Sequence, residues 1–168
     1  MTLTSKTFGA ALLFSLILFS CKVYNFRDVS VPANVKTIRV YTIANQATYR
    51  NPLISSRITN QLEQKVSNLT RLIRTNKDDA DYQVSGYISS FTTSTVSISN
   101  QRSVTNRLTV SVHITLRDVP NNKTREFDVS RDFDFSASLS FDQAVGNLMD
   151  EIVKNMTDEI FNRIFSNW

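Results

Sequence analysis

The sequence predicts an α+β domain: two helices packed on one face of a roughly four-stranded mixed sheet, in the order β-α-β-β-β-α. Three patterns carry that expectation. Leu108, Val110, Val112, Ile114 and Leu116 alternate without a break against Thr109, Ser111, His113, Thr115 and Arg117. That period of two marks a strand with one face on a core and one polar face. Ile54, Ile58, Leu62 and Val66 recur at a spacing of four, which lays one apolar stripe along a helix. Ser140-Phe141-Asp142-Gln143 has the form of a capping box, in which serine and glutamine each satisfy the other's free backbone donor, so a second helix follows.

Taken in order, Val35 to Ile43 holds β-branched residues in alternation, with Ile38, Val40 and Thr42 on one side and Arg39, Tyr41 and Ile43 on the other. This suits a first strand. Ala44 to Arg50 reads as a polar connection. Asn51-Pro52 opens the first helix, because Asn caps free N–H groups and Pro fits the first helical position with its preset φ. The polar face of that helix lacks the dense Lys and Arg of a membrane-surface helix, so its stripe is expected on a sheet. Leu72-Ile73-Arg74 suits a short edge strand, and Asn76 to Asp79 a turn. Asp78, Asp79 and Asp81 have neither the glycine nor the glutamate offset of a calcium loop and read as a solvated turn.

From Asp81 three successive strands follow, with short links that imply an antiparallel meander. The first begins Tyr82, Val84, Gly86, Ile88 and runs through a Ser/Thr-rich segment to about Ser99, with a phase slip near Thr92-Thr93-Ser94 that suggests a bulge. The second is the alternating strand from Leu108. After an Asn121-Asn122 turn, the third sets Phe127, Val129, Phe133 and Phe135 opposite Glu126, Asp128, Asp132 and Asp134. The closing helix, about 25 residues long, buries Val145, Leu148, Ile152, Met156, Ile160 and Ile164, broadened by Phe141, Val153, Phe161 and Phe165, and the chain ends at Trp168. Two helices on one side leave the other sheet face polar: Ser89, Thr93 and Thr95, the row from Thr109 to Arg117, and the acidic row.

Ahead of this domain, residues 1–20 have the layout of a signal peptide, with Lys6 as the only charge before the apolar run Phe8 to Phe19. The run is short for a bilayer span, which needs roughly twenty apolar residues. Leu18-Phe19-Ser20-Cys21 resembles the lipobox of bacterial lipoproteins. That resemblance implies cleavage before Cys21 and lipidation, palmitate included, of its sulfur. An ordinary secretory signal or a short anchor with an incidental cysteine is the alternative. Residues 21–34 then form a lipid-anchored tether and 35–168 a single domain. With Cys21 consumed, no thiol remains for a disulfide, a metal site or a nucleophile. The formal charge of +4 over 168 residues is mildly basic. An exported lipoprotein carries such a charge among phosphorylated lipids and anionic glycolipids more often than beside nucleic acid.

Chemistry-bearing groups are few. His113 is the only histidine, and its place between Ser111 and Thr115 suits an exposed strand residue better than a general base. Glycine occurs three times, so no glycine-rich loop can cradle phosphate, and no Cys/His set can bind zinc. The domain therefore reads as non-catalytic and without a cofactor. Two basic groups stand near predicted strand ends, Arg102 with Arg107 and Lys123 with Arg125, and guanidinium and ammonium groups suit phosphate. They are the candidate phosphate contacts offered by the residues themselves.

The stretches Cys21-Lys22-Val23-Tyr24-Asn25-Phe26, Lys36-Thr37-Ile38, Asn106-Arg107-Leu108-Thr109-Val110, Asp150-Glu151-Ile152-Val153, Ile160-Phe161-Asn162 and Asn167-Trp168 resemble the LptE family of lipopolysaccharide-assembly lipoproteins. The resemblance implies two helices on a four-stranded sheet and a lipid-anchored outer-membrane protein, on the periplasmic side or in a barrel lumen. It implies a plug that helps assemble the LptD β-barrel, binds lipopolysaccharide and assists its delivery to the outer leaflet. The partners it implies are that barrel, lipopolysaccharide and the membrane, with no nucleic acid. A periplasm-facing subunit of another envelope transport machine is the alternative.

Overall fold

The computed structural model describes residues 31–99 and 102–166, with the side chains of 97–99 and 102–104 left out of the description. The expected signal segment 1–20, Cys21, the expected tether to residue 30 and Trp168 lie outside the described residues. The strands are β1 (Thr37–Val40), β2 (Ala44–Asn45), β3 (Ile73–Arg74), β4 (Tyr82–Ser99), β5 (Arg102–Asp118) and β6 (Lys123–Ser136). The helices are α1 (Pro52–Leu69) and α2 (Phe141–Phe165). All six strands join one sheet in the order β3-β1-β4-β5-β6, with β2 on the β4 edge beyond β1. β1 runs parallel to β3 and β4, β2 runs parallel to β4, and β4, β5 and β6 form an antiparallel meander.

The α+β class, the mixed sheet and the two helices on one face are as the sequence predicts, while the strand count is six rather than roughly four. The addition comes from the stretch expected as one strand, Val35 to Ile43, and the connection after it. Tyr41 N–H donates to the Val84 carbonyl at 2.8 Å. Ile43 then donates instead to Thr59 Oγ1 of α1 at 3.0 Å, so a helix side chain takes the place of a strand partner. The chain returns to the sheet as β2, and Gln46 N–H meets the Ile88 carbonyl at 3.0 Å. The short edge strand expected at Leu72–Arg74 is β3.

One side of the sheet is the core. Leu108, Val110, Val112, Ile114 and Leu116 of β5 are all fully buried, as are Ile54, Ile58, Leu62 and Val66 of α1. Removing any one of these aliphatic side chains would cost about 2–5 kcal/mol through lost transfer energy and the cavity left behind. In α2, Ile152, Met156 and Ile160 are buried together with Ala144 and Met149, while Leu148 and Phe141 pack at its margin. α1 lies over β1, β2 and β3, and α2 over β5 and β6. Arg57–Asp150 and Lys65–Asp158 join the helices at the same sequence offset of 93, so the two run parallel. Exposed pairs of this kind hold orientation more than they stabilise.

The caps form as the sequence requires. Leu53 N–H donates to Asn51 Oδ1 at 3.0 Å. Ser140 N–H donates to Gln143 Oε1 at 3.0 Å and Gln143 N–H to Ser140 Oγ at 3.3 Å. Asn122 takes the left-handed conformation, φ 47°, in the β5–β6 turn, where Asn is tolerated because its short side chain bonds locally.

Asp81 is more than the solvated turn residue its neighbours suggest. Its Oδ2 accepts from Lys36 N–H at 2.7 Å and Thr37 N–H at 2.9 Å, and its own N–H donates to Thr37 Oγ1 at 2.9 Å. Its carbonyl accepts from Val119 N–H at 2.8 Å. One residue thus ties the start of β1 to the start of β4 and the end of β5. The backbone donors, Lys36 first and Thr37 second, hold its carboxyl below the usual carboxylate range. Asp78 is also engaged, with Arg39 and the Tyr41 hydroxyl.

Two predictions follow from this packing. A Cβ at Gly86 would stand 2.3 Å from the His113 carbonyl oxygen and 2.7 Å from Ile114 Cδ1, whereas one at Gly146 meets nothing within 4 Å. Gly86→Ala is expected to destabilise by about 2 kcal/mol or more, and Gly146→Ala, in mid-helix, to stabilise by about 0.5–1 kcal/mol; urea unfolding midpoints measure both. For Asp81 the folded pKa is depressed, so its contribution is present above the ordinary carboxylate range and is lost as pH falls through the folded value. The stability gap between wild type and Asp81→Ala should therefore narrow below about pH 4, read from urea unfolding between neutral and acid pH. A gap independent of pH would show that the charge contributes nothing to the tie.

Candidate functional site: the helix-free face of the sheet

The side of the sheet opposite the helices is built by the residues that alternate with the core. On β5 these are Arg107, Thr109, Ser111, His113, Thr115 and Arg117, and the register sets Asp134, Asp132, Ser130, Asp128, Glu126 and Thr124 of β6 opposite them in turn. Four of these six pairs bond across the strands through their side chains. Arg107 meets Asp134 through two bonds, Nε to Oδ1 at 2.7 Å and an Nη to Oδ2 at 3.0 Å. Thr109 Oγ1 donates to Asp132 Oδ1 at 2.7 Å, and the Ser111 and Ser130 hydroxyls lie 3.1 Å apart. His113 Nδ1 stands 2.9 Å from Asp128 Oδ1. Such cross-strand pairs reinforce the ladder between β5 and β6. Together they fix the side chains of this face in a defined pattern. The hydrogen bond from Arg107 holds the Asp134 carboxyl below the usual range, and Asp134 in turn raises the guanidinium.

β4 completes the face with Gln83, Ser85, Tyr87, Ser90, Thr92 and Ser94, opposite Arg117, Thr115, His113, Ser111, Thr109 and Arg107. This corrects the expected set of Ser89, Thr93 and Thr95. The register shifts between Ile88 and Ser90, with further shifts between Thr95 and Ile98, rather than near Thr92-Thr93-Ser94. The extra residue at Ser89 moves everything beyond it to the other face. Thr93 pairs with Leu108 and Thr95 with Asn106, on the helix side. Tyr87, which alternates with the core residues of β4, packs its ring on His113 with centroids 5.2 Å apart.

The face is acidic in balance: Arg107 and Arg117 stand against Glu126, Asp128, Asp132 and Asp134. Its only imidazole binds Asp128, and the hydroxyl of Ser111, two residues away on β5, is engaged with Ser130. Among the described residues no group of three or more His, Cys, Asp or Glu is placed to hold a metal ion. None of the described helices is long and apolar enough to cross a membrane.

The four basic candidates do not converge. Arg107 sits on the helix-free face in the grip of Asp134. Arg125 alternates onto the helix side and donates from an Nη to the Ile164 carbonyl at 3.0 Å, satisfying a terminal acceptor of α2. Lys123 stands at the β5–β6 turn opposite Asp118, exposed and without a hydrogen bond or ion pair among the described residues. Arg102 begins β5 at the other end of the sheet, opposite Ser99, and its side chain lies outside the described residues. Cys21 is likewise outside them.

A family model described as LptE, lipopolysaccharide-assembly, matches residues 35–164, nearly the whole of the domain just described. No curated protein sequence matches the chain significantly. Among solved structures, a neuraminyllactose-binding hemagglutinin homologue of Helicobacter pylori is 9% identical, with a TM-score of 0.55 over 81% of this chain and 86% of that one. The hypothetical protein CT253 of Chlamydia trachomatis is 13% identical, with a TM-score of 0.50 over 79% of this chain and 99% of that one. Rare lipoprotein B of Shewanella oneidensis is 16% identical, with a TM-score of 0.45 over 75% of this chain and 89% of that one. At such identities a likeness is one of fold.

The two candidate cations on β6, Lys123 and Arg125, are expected to separate on reversal. Arg125→Glu removes a bond to the end of α2 and sets a carboxylate against its carbonyls, lowering stability by about 1–2 kcal/mol. Lys123→Glu should leave the thermal unfolding midpoint within error of wild type. A comparable loss at Lys123 would show that it is structural as well.

Proposed function

The chain belongs to the LptE family of lipopolysaccharide assembly, and from that membership we propose that it is an outer-membrane lipoprotein, anchored through Cys21, that plugs and helps assemble the LptD β-barrel. In this reading it also binds lipopolysaccharide and assists its delivery to the outer leaflet, without catalysing a reaction.

One observation carries the barrel reading: the helix-free face, on which cross-strand bonds hold a row of hydroxyl, carboxylate and guanidinium groups ready to pair. A barrel wall or lumen loop that presents donors to the acidic row would bury such a face with its polar groups satisfied. The same acidity disfavours lipopolysaccharide phosphates there, so the two partners divide between regions of the domain. Phosphate goes to cations with no internal partner. Lys123 at the β5–β6 turn has that character, and Arg102 at the opposite tip is proposed beside it. Arg107 and Arg125 contribute less, because each must first leave a partner inside the domain.

Isolation of the lipidated protein from membranes tests the reading. The expected result is co-purification of a large outer-membrane β-barrel; recovery of only an inner-membrane transporter would favour an auxiliary subunit of another envelope machine. In a lipopolysaccharide-capture assay Lys123→Glu with Arg102→Glu should reduce binding several-fold and Arg107→Glu much less. Unchanged capture by the double variant would remove both residues from the site.

A further inference from the structure

Among the described residues two buried side-chain atoms lack a hydrogen-bond partner, Ser55 Oγ and Thr157 Oγ1. Thr157 is wholly enclosed, but Ser55, 7% exposed, lines a cleft of about 360 Å³ between the first turn of α1 and the link from β1 to β2. A buried hydroxyl left unpaired is costly, so its place at a cleft is informative. The fold explains how it comes to be there. Thr59 Oγ1 accepts from Ile43 N–H at 3.0 Å and itself donates to the Ser55 carbonyl at 2.8 Å. Ser55 stands one turn before Thr59 on the same helix face, so its side chain is directed at the strand link that follows Ile43. Ala44 and Asn45 then leave α1 to pair with Tyr87 and Ile88 of β4, and the cleft opens between. Ser55 Oγ lies at its back, out of reach of bulk water.

The lining has a definite chemical character. Ile43, Ala44 and Pro52 supply apolar walls, and Arg50 is the only charged residue. It is exposed and has neither a hydrogen bond nor an ion pair among the described residues. The polar neighbours are committed: Asn45 Nδ2 donates to the Tyr49 carbonyl at 3.1 Å, and Ser56 Oγ to the Leu53 carbonyl at 3.1 Å. The first turn of α1 carries no acid, so its positive end is not neutralised from within. The backbone donors that phosphate takes at a helix start are withdrawn, because Pro52 has no N–H and that of Leu53 is held by Asn51. What remains is one guanidinium fork, one hydroxyl and an apolar wall. We propose that this cleft binds a small organic carboxylate, its apolar body against Ile43, Ala44 and Pro52 and its charged end between the Arg50 guanidinium and the Ser55 hydroxyl. The guanidinium fork matches a carboxylate in geometry, and the bond donated by Ser55 satisfies the hydroxyl that the fold leaves unpaired. The cleft is at the small end of the range for ligand sites, about 300–1,000 Å³, so the body is one of a few carbons. This inference is independent of the family reading.

Amide NMR shifts of the full chain in non-ionic detergent, titrated with isovalerate, test the proposal. Ala44, Asn45, Ser55 and Ser56 should shift together, with a dissociation constant in the millimolar range for so small a ligand. Isovaleramide keeps the body and loses the charge, while inorganic phosphate keeps charge and loses the body; each should bind at least about fivefold more weakly. Arg50→Gln should weaken isovalerate binding by a similar factor. Ser55→Ala should weaken it about threefold or more while unfolding at or above the wild-type temperature, because it removes an unpaired hydroxyl. Absence of shifts at these four residues, equal binding of isovalerate and isovaleramide, phosphate bound as tightly as isovalerate, or binding unchanged by both variants would each overturn the proposal. A Ser55→Ala variant that loses stability and binds as wild type does would overturn it as well, by showing that the hydroxyl serves the fold.

Discussion

The structure depends on one asymmetry of burial. β5 sends alternate side chains to opposite sides of the sheet, and both helices lie on one of those sides. On that side Leu108, Val110, Val112, Ile114 and Leu116 are sealed from water. On the other, Arg107, Thr109, Ser111 and His113 are held by side-chain bonds to β6. A one-residue slip in β5 would exchange the two sets and bury charge. The register of the central strand therefore fixes the core and the candidate binding face together, and the capped, parallel helices keep that choice in place.

Much of this was legible from residue pattern because the relevant signals are local. Unbroken alternation identifies β5, the four-residue spacing and Asn51-Pro52 identify α1, and Ser140 with Gln143 identifies the start of α2. What escaped depends on contacts between distant residues. The bulge at Ile88–Ser90 lies among Ser residues with no Gly or Pro to announce it, and only pairing with Val112 and Ser111 reveals it. That single insertion exchanged Ser89, Thr93 and Thr95 for Ser90, Thr92 and Ser94 on the helix-free face. β2 exists because Thr59 of α1 and Ile88 of β4 capture the backbone of a stretch that reads as a connection.

The same limit applies to the basic residues. Charge and position near a strand end brought Arg102, Arg107, Lys123 and Arg125 to notice equally, but availability to a ligand is a property of partners. Arg107 finds Asp134 only through the β5–β6 register, and Arg125 finds Ile164 only because α2 ends above β6. The domain thus has a sealed core under the helices and an acidic, hydrogen-bonding face opposite it; in the proposed reading that face meets a protein wall and the strand-end cations meet phosphate.

Site-specific photocrosslinking in intact cells tests this separation most directly. Crosslinkers placed at Thr109 and Thr115 on the helix-free face, and at Asn60 and Gln64 on the outer side of α1, probe the two sides of the same domain. The account predicts adducts with an outer-membrane β-barrel from the first pair and not from the second. Barrel adducts from Asn60 and Gln64 with none from Thr109 and Thr115 would contradict it.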